Sequence, residues 1–562
     1  MESDNRQYNK NSRGKNGLAR FQPKGRLLSE DEDIEIRNLL KYKAFQRHEL
    51  IEYLHLIQDT YNVLKIGHLH ALAKLLSISM VEVYEVASFY SHFDILDDNE
   101  IEPAPITVRV CSSITCELFD SEKLFSDIVD KDIKNVRVVS APCMGRCFSA
   151  PVCEVGHRHI DQASVEKVEL IVNKKQFKPE IPNYEDLNKY QLNGGYKVLE
   201  ACISGKLSIN EVISELSSSS LKGLGGAGFP TGKKWQFVLA EPEPRLMAVN
   251  ADEGEPGTFK DRYHLERTPH QFLEGMLIGA WAINAETVFI YLRDEYPAIR
   301  EILLREVDLL QKRGLSNHTN IEIRRGAGAY ICGEESAMIE SIEGKRGIPR
   351  HRPPYVAQSG IFGKPTLVNN VETLHWIPVI LKKGAKWFSS QGDKGRGLRS
   401  YSVSGRVKNP GVKIVSAGST VAELIDYAGG MMDGHVFSGY LPGGASGGIL
   451  PSTMSNIPLD FGELEKYGCL VGSHAIVIFS TQDDPRKIAL NLMKFFEDES
   501  CGQCTPCRIG TEKAVRLMIK KNWNTKLLKD LSDVMTDSSI CGLGQAAPNP
   551  LLCIMKYFPD IK

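Results

Sequence analysis

"SLKGLGGAGFPTGKKW", residues 220–235, places five glycines in the ten positions from Gly223 to Gly232. Gly223, Gly225 and Gly228 spell G-x-G-x-x-G, the pattern of a dinucleotide-binding turn. That turn normally follows a strand, opens a helix and is answered about 20 residues on by an acidic side chain. Here the preceding "NEVISELSSSS" reads as a helix, Pro230 stands two residues after the third glycine, and the next strand signal comes only near residue 246. The pattern fails its context, and a plain glycine turn is one reading of it. The other is a loop, with Gly226 and Gly232 included, whose backbone can approach a flat ring or a phosphate closely. Lys233 and Lys234 supply charge there, and Phe229, Trp235 and Phe237 supply stacking surface.

Two more dense stretches lie in the same region. "NADEGEPGTFKDR" (250–262) sets Asn250, Asp252, Glu253 and Glu255 just past the strand-like "RLMAVN". Open α/β sheets bind ligands at such strand ends. "GAGAYICGEESAMIESIEGKRGIPRHRPPY" (326–355) is a second glycine loop with paired Glu334 and Glu335, then basic and aromatic residues. Alone, each would read as a solvated loop. Together in one domain they favour a ligand pocket.

The chain has 562 residues, too many for one core, so several domains are expected. Its 42% hydrophobic and 25% charged residues are ordinary for a folded protein, and a formal charge of −2 offers nothing for nucleic acid. No apolar run reaches the roughly 18 to 20 residues of a membrane span, and no secretory leader is evident, so a cytoplasmic location is expected. Residues 1–30 read as a disordered basic arm and 31–100 as a helical domain in which Leu50, Leu54, Ile57, Tyr61 and Leu64 recur near the 3.6 period. In 101–180, "ITVRVC", "NVRVVSAPC" and "PVCEVGHRHI" read as three strands and "SEKLFSDIV" as a helix. An α/β domain with mostly parallel pairing follows over 190–395, then a small β-grasp-like module over 396–482 and a helical segment over 483–562.

The 13 cysteines carry the most specific signal. Cys111 and Cys116 stand as C-x4-C, with Cys143 and Cys147 following as C-x3-C. Cys501, Cys504 and Cys507 form C-x2-C-x2-C, and Cys541 comes later. Four thiolates hold zinc or an iron–sulfur cluster. The C-x2-C-x2-C run suits a [4Fe–4S] cluster, and the paired set on strand-end loops suits [2Fe–2S], with zinc the alternative at both. The other five cysteines read as small buried hydrophobes. Hydride donors deliver two electrons at once while clusters accept one, so a flavin between them is the natural converter.

The quoted stretches, with "PTLVNNVETL" and "ESCGQCTPCRIGT…SSICGLGQAAPNP", resemble the NADH-oxidising flavoprotein subunit of respiratory complex I. Residues 34–180, with "VASFYSHF", resemble that complex's thioredoxin-like [2Fe–2S] subunit. Their fusion resembles the diaphorase subunits of NAD-dependent formate dehydrogenases and NAD-reducing hydrogenases. Leu224 and the stretch "YLPGGASGGILPSTMSNIPLDFGELEKYGC" look closest to the formate dehydrogenase β subunit. The resemblance implies a multidomain α/β protein. Its parts would be an N-terminal helical bundle, a thioredoxin-like [2Fe–2S] domain, a Rossmann-like FMN/NADH domain, a β-grasp (ubiquitin-like) domain and a C-terminal helical bundle with [4Fe–4S].

It further implies that FMN is held by Gly223, Gly225, Gly226, Gly228, Gly232 and Lys234, with Asn250, Asp252, Gly333, Glu334, Asn369, Asn370 and Thr373. NADH would stack on Phe229 and Phe237, with Glu335, Arg352 and Tyr355 along its path. Glu253, Glu255 and Tyr330 would sit nearest the reacting atoms, none being required as a general acid or base. The implied partner is a molybdenum- or tungsten-pterin formate dehydrogenase α subunit. A hydrogenase or complex I partner is the alternative, and a scaffold that has lost its flavin is the reading from another class.

Overall fold

The computed structural model describes residues 28–41, 44–391 and 396–558, so nearly all of the expected basic arm lies outside the described residues. The chain divides into two compact units. One runs to Ser88 and includes Phe93–Glu102; the other comprises Phe89–His92 and everything from Pro103.

The first unit is built from helices Glu30–Leu40, Leu50–Tyr61, Ile66–Leu76 and Met80–Phe89. Ser29 and Glu32 form a reciprocal capping box at the start of the first, satisfying N–H groups that have no partner in the first turn. Leu50, Leu54 and Ile57 are fully buried, as their period requires. The periodic reading breaks at Leu64. Asn62 takes a left-handed conformation that ends the helix, and Leu64–Lys65 instead pairs in parallel with Ile95–Leu96.

The second unit begins with strands β1 (Ile106–Cys111), β2 (Val136–Ala141), β3 (Cys153–Val155) and β4 (Arg158–Ile160), in sheet order β2-β1-β3-β4. β1 and β2 are parallel, and the other pairs are antiparallel. The single strand expected over "PVCEVGHRHI" is a hairpin, because Gly156 turns the chain at φ +65°. Helices Ser121–Asp130 and Val165–Lys174 pack on this sheet through Leu124, Ile128, Val168 and Val172.

Four parallel strands follow: β5 (Arg245–Ala251), β6 (Ala285–Leu292), β7 (Asn320–Arg325) and β8 (Thr366–Asn370), ordered β8-β5-β6-β7. Parallel sheets are covered on both faces, and β5 and β6 are accordingly near-continuous apolar runs. Helix Pro269–Ala282, buried almost all round, lies against helix Val371–Lys383. The next sheet, β10-β9-β13-β11-β12, comprises β9 (Leu398–Gly405), β10 (Gly411–Ser416), β11 (Phe437–Leu441), β12 (Leu450–Pro451) and β13 (Ala475–Ser480). β9 and β13 are its parallel pair, and helix Val421–Tyr427 joins it in a β-grasp arrangement. Five helices from Pro485 to Tyr557 complete the described chain.

The five cysteines outside the two quartets are all buried, as expected; two of them, Cys469 and Cys553, have sulfurs 3.4 Å apart. Among the described residues no helix is long and apolar enough to cross a membrane.

Candidate functional site

The C-terminal edge of the parallel sheet organises the site. Asn250 ends its run on β5 directly opposite Asn370 on β8. Asn250 donates from Nδ2 to the Gly333 carbonyl at 2.8 Å, drawing the second glycine loop onto the edge. Asn370 caps helix Val371–Lys383 and donates to Asp261 at 2.6 Å.

The first glycine loop closes on itself, with Gly223 N–H bonded to the Phe229 carbonyl and Lys222 bridging to Pro230. It is pinned to the sheet by Leu224 N–H, which donates to Thr373 Oγ1 at 2.9 Å. A side chain on Gly225 would come to 3.2 Å from Asn370 Cβ, and Gly228, at φ +66°, would meet the Phe461 ring at 2.7 Å. The loop thus lies flat on the strand ends because it has no side chains there. Gly226, at φ +127°, has only Gly472 nearby. Gly232 serves differently: it lies in helix Thr231–Leu239, and a Cβ would strike Ser217 of the neighbouring helix. Leu224 is fully buried in the core, and Asn369 gives its side-chain oxygen to Trp235 Nε1 at 3.0 Å.

In the acidic loop, Glu253 accepts from the backbone of Asp261 and Arg262 and from Tyr296 Oη at 2.8 to 3.0 Å, capping helix Lys260–Arg267. Burial still pushes its carboxyl up to about 8. Asp252 is also pushed up to about 8 by burial, and its Oδ2 has no hydrogen-bond partner. Glu255 accepts from Ser446 N–H and Oγ, both at 2.7 Å, and from Tyr330 Oη; burial raises its pKa. Tyr330 N–H donates to Glu499, two residues before Cys501, at 2.8 Å. Glu253, Glu255 and Tyr330 are therefore all engaged within the protein, as scaffold to the loop.

The outer rim joins four of the expected residues. Arg352 bonds Glu334 at 2.7 Å and Glu335 at 3.0 Å, and Glu335 faces Lys234 at 3.6 Å. Lys234 also donates to the Val368 carbonyl, and Glu334 caps helix Glu335–Ile342. Phe229 and Phe237 pair at 6.1 Å while remaining 41% and 57% exposed, so their faces are open to a planar ligand. Tyr355 is exposed, and its backbone N–H is held by Gln358.

Cys111, Cys116, Cys143 and Cys147 are all buried, with Cys143 and Cys147 sulfurs 3.3 Å apart. Cys116 is hydrogen-bonded to Cys111 and lies within electrostatic reach of the other two. Cys143 is drawn down to about 6 by the Cys147 thiol, by Arg293 and by the N–H groups of Gly257 and Gly145. The donors from Arg293 and Gly257 come from the parallel-sheet domain and cross to this cluster loop. Phe259, also from that domain, packs on Cys143 and Cys147. At the other end, Cys504 and Cys541 stand at the N-termini of helices Thr505–Met518 and Gly542–Ala546. Gly544 lies so close to Cys507 that a Cβ would sit 3.1 Å from Cys507 Cβ, which brings the distant Cys541 turn onto the three-cysteine run. All 13 cysteines are free thiols.

Four family models match: a thioredoxin-like [2Fe–2S] ferredoxin over 36–176, an FMN-binding domain over 216–379, an SLBB domain over 400–449, and an NADH-ubiquinone oxidoreductase iron–sulfur binding region over 487–561. A flavin-domain NADH-quinone oxidoreductase component of Rhizobium meliloti (strain 1021) is 38% identical over 396 residues, covering 67% of this chain and 94% of that protein. The chain belongs to this NADH-quinone oxidoreductase family. NADP-reducing hydrogenase subunit HndC of Solidesulfovibrio fructosivorans is another relative, 39% identical over 393 residues, 67% of this chain and 80% of the relative. A solved NAD+-reducing [NiFe]-hydrogenase in the air-oxidised state superposes over 91% of this chain and 92% of its own, at TM-score 0.80 and 28% identity.

Within that family, this chain carries a [2Fe–2S] ferredoxin domain fused ahead of its FMN-binding and [4Fe–4S] domains. It is an NADH-dependent oxidoreductase flavoprotein of the complex I or NAD-reducing hydrogenase type. The zinc alternatives for the two quartets give way to clusters. Sequence reasoning missed Arg293, Tyr296, Lys260, Glu372 and Ser446. Of these only Lys260 lies inside a stretch singled out for its chemistry.

Proposed function

We propose that the chain is a diaphorase subunit that exchanges hydride between NAD(H) and FMN and relays electrons singly through its two clusters to a separate catalytic subunit. One observation carries this: both four-cysteine sites are hydrogen-bonded to the loops at the sheet edge, through Arg293 to the Cys143 loop and through Tyr330 to Glu499 beside Cys501.

The residues fit the cofactors. The glycine loop leaves a cradle that any Cβ would narrow, the buried Asp252 Oδ2 awaits a partner, and Lys234 supplies a cation. Bound FMN supplies hydride acceptance and one-electron release. The protein's own part is positioning. Gly225 and Gly228 admit a flat ring, Asn250 fixes the second glycine loop, and Arg352 with Lys234 orders the carboxylates at the rim. Buried Asp252 stays largely protonated at neutral pH and so offers a hydrogen-bond donor. Phe229 and Phe237 receive the nicotinamide dinucleotide. Replacing both by alanine is expected to raise KM for NADH roughly 10- to 100-fold, given about 1 kcal/mol or more per stacked ring. Thermal stability should be unchanged because both rings are exposed. A steady-state titration with ferricyanide as acceptor checks this, and an unchanged KM would move the NADH site elsewhere.

Asp252 gives a pH signature. Its carboxyl titrates near 8 when folded and near its ordinary value when unfolded, so ionisation penalises the folded state as pH rises between those values. In flavin-stripped protein, Asp252→Asn should raise the melting temperature at pH 7.5 by several degrees and leave it nearly unchanged at pH 4. Scanning calorimetry at both values decides it.

For the catalytic partner, we infer a molybdenum- or tungsten-pterin formate dehydrogenase α subunit in a cytoplasmic complex, on the stretch from Tyr440 to Cys469. Leu224 adds little, since its side chain is buried in the core. The NAD+-reducing [NiFe]-hydrogenase, whose chain aligns with this one over both the cluster and flavin domains, favours a hydrogenase partner as the second reading. Metal analysis of the co-purified complex separates them: molybdenum or tungsten supports the first, nickel the second.

A further inference from the structure

Among the described residues, Arg293 is a guanidinium that touches both redox sites. It follows β6, is 4% exposed, and donates from NH2 to the carbonyl of Cys143 at 2.5 Å. Its NH1 donates to the Glu253 carbonyl in the acidic loop, and Nε pairs with Glu295 at 3.0 Å. Its guanidinium also lies 5.1 Å from the centre of the Tyr296 ring. Tyr296 in turn bonds Glu253 and crowds Gly145, where any side chain would run into its ring and hydroxyl. A second cation, Arg262, donates to the Met144 and Gly145 carbonyls at 3.2 and 3.3 Å.

A buried charge acts on its surroundings far more strongly than one in water. Each reduction of the four-thiolate [2Fe–2S] site adds one electron and hence one negative charge, breaks no bond and moves no proton. A cation fixed against a ligand's backbone favours that added charge. The same cation holds the Glu253 carbonyl, so the polarity around the cluster and the position of the flavin loop share one side chain. None of this contact set reaches the [4Fe–4S] cysteines.

We propose that Arg293 is a positioning residue that holds the [2Fe–2S] potential up and ties the Cys143 loop to the flavin loop, and that Glu295 tempers it. This rests on the reading that Cys111, Cys116, Cys143 and Cys147 hold the [2Fe–2S] cluster. Metal ligand environments are tuned by such outer partners.

The test is a potentiometric titration of the whole complex followed by electron paramagnetic resonance of each cluster, in wild type and three variants. Arg293→Gln is expected to lower the reduced-to-oxidised ratio of the [2Fe–2S] signal about tenfold at fixed potential, a shift of ~59 mV for a one-electron couple. Arg293→Lys should restore most of it. Glu295→Gln, which leaves the guanidinium unneutralised, should shift the ratio the opposite way. The [4Fe–4S] titration should be unmoved in all three.

Because Arg293→Gln could fail to fold, the Glu295 variant stands as an independent arm. Unshifted [2Fe–2S] titrations in both Arg293→Gln and Glu295→Gln, at full iron content, would overturn the proposal. So would shifts of the same sign in both, because that marks mere loosening. If the wild type shows no [2Fe–2S] signal at all, the cluster reading fails instead, and the two failures are told apart before any variant is compared.

Discussion

Serine in place of Cys541 is expected to remove the four-iron complement while sparing the flavin chemistry. NADH should still bleach the flavin at close to the wild-type rate. Onward delivery of electrons through the [4Fe–4S] site should fall on the order of 100-fold or more, since even loss of outer partners costs 10- to 100-fold at metal sites. The reasoning is geometric. Cys541 sits at the head of the short helix Gly542–Ala546, and Gly544 of that helix presses on Cys507. The fourth ligand is thus delivered by tertiary packing and not by the C-x2-C-x2-C turn, which cannot close a tetrahedral set alone. The Glu499–Tyr330 hydrogen bond lies outside the ligand set, so the flavin site should keep its shape. Rapid mixing with NADH, following flavin absorbance and cluster resonance separately, gives the result. Intact iron content with undiminished onward transfer would mean that Cys541 is not the fourth ligand. Loss of flavin along with iron would mean that the two sites are not separable.

How much of this was legible in the residues depended on whether chemistry is written in spacing. The two cysteine quartets could be read because thiolate ligands have no bland equivalent at those intervals. The glycine loops could be read too, but only as a class. A glycine that admits a ligand and one that admits a neighbouring helix are the same letter. Gly225 lies over Asn370 at the sheet edge, whereas Gly232 makes room for Ser217. Carboxylates misled in a similar way. Glu253 and Glu255 looked like site residues because they are acidic and near a strand end. In the fold they are capped, bonded and buried, and they shape the loop from inside. The hairpin hidden in "PVCEVGHRHI" turned on one glycine within an apolar run. Arg293 was invisible for a plainer reason: its partners are the backbone carbonyls of Glu253 and Cys143, both far back along the chain, and backbone oxygens leave no trace in composition.

The same limit hid a buried ion cluster near the site, and it yields a second strong expectation. Lys260→Met should destabilise the protein by roughly 3 to 5 kcal/mol, the usual cost of removing one partner from a buried ion pair. The Lys260 ammonium is 1% exposed and lies 2.9 Å from Asp261 and 3.1 Å from Glu372, which is itself fully buried. Without it, two carboxylates share a dry site. Asp261 would retain Asn370 and the Glu372 N–H, and Glu372 would retain Ser400 N–H on β9, but neither would keep a compensating charge. Burial already raises the Asp261 pKa despite the ammonium. Removing the ammonium raises both carboxyls further, so the penalty is fully present at neutral pH and shrinks as acid protonates them. Denaturant midpoints should therefore differ most near pH 7.5 and converge toward pH 5. A combined Lys260→Met, Asp261→Asn, Glu372→Gln variant should recover much of the loss, because neutral amides leave no unpaired charge. Since Asn370 and the start of helix Val371–Lys383 hang on this triad, Lys260→Met should also weaken flavin retention, which fluorescence of released FMN would report. A deficit that is flat across pH would assign the loss to packing and remove the triad from the account.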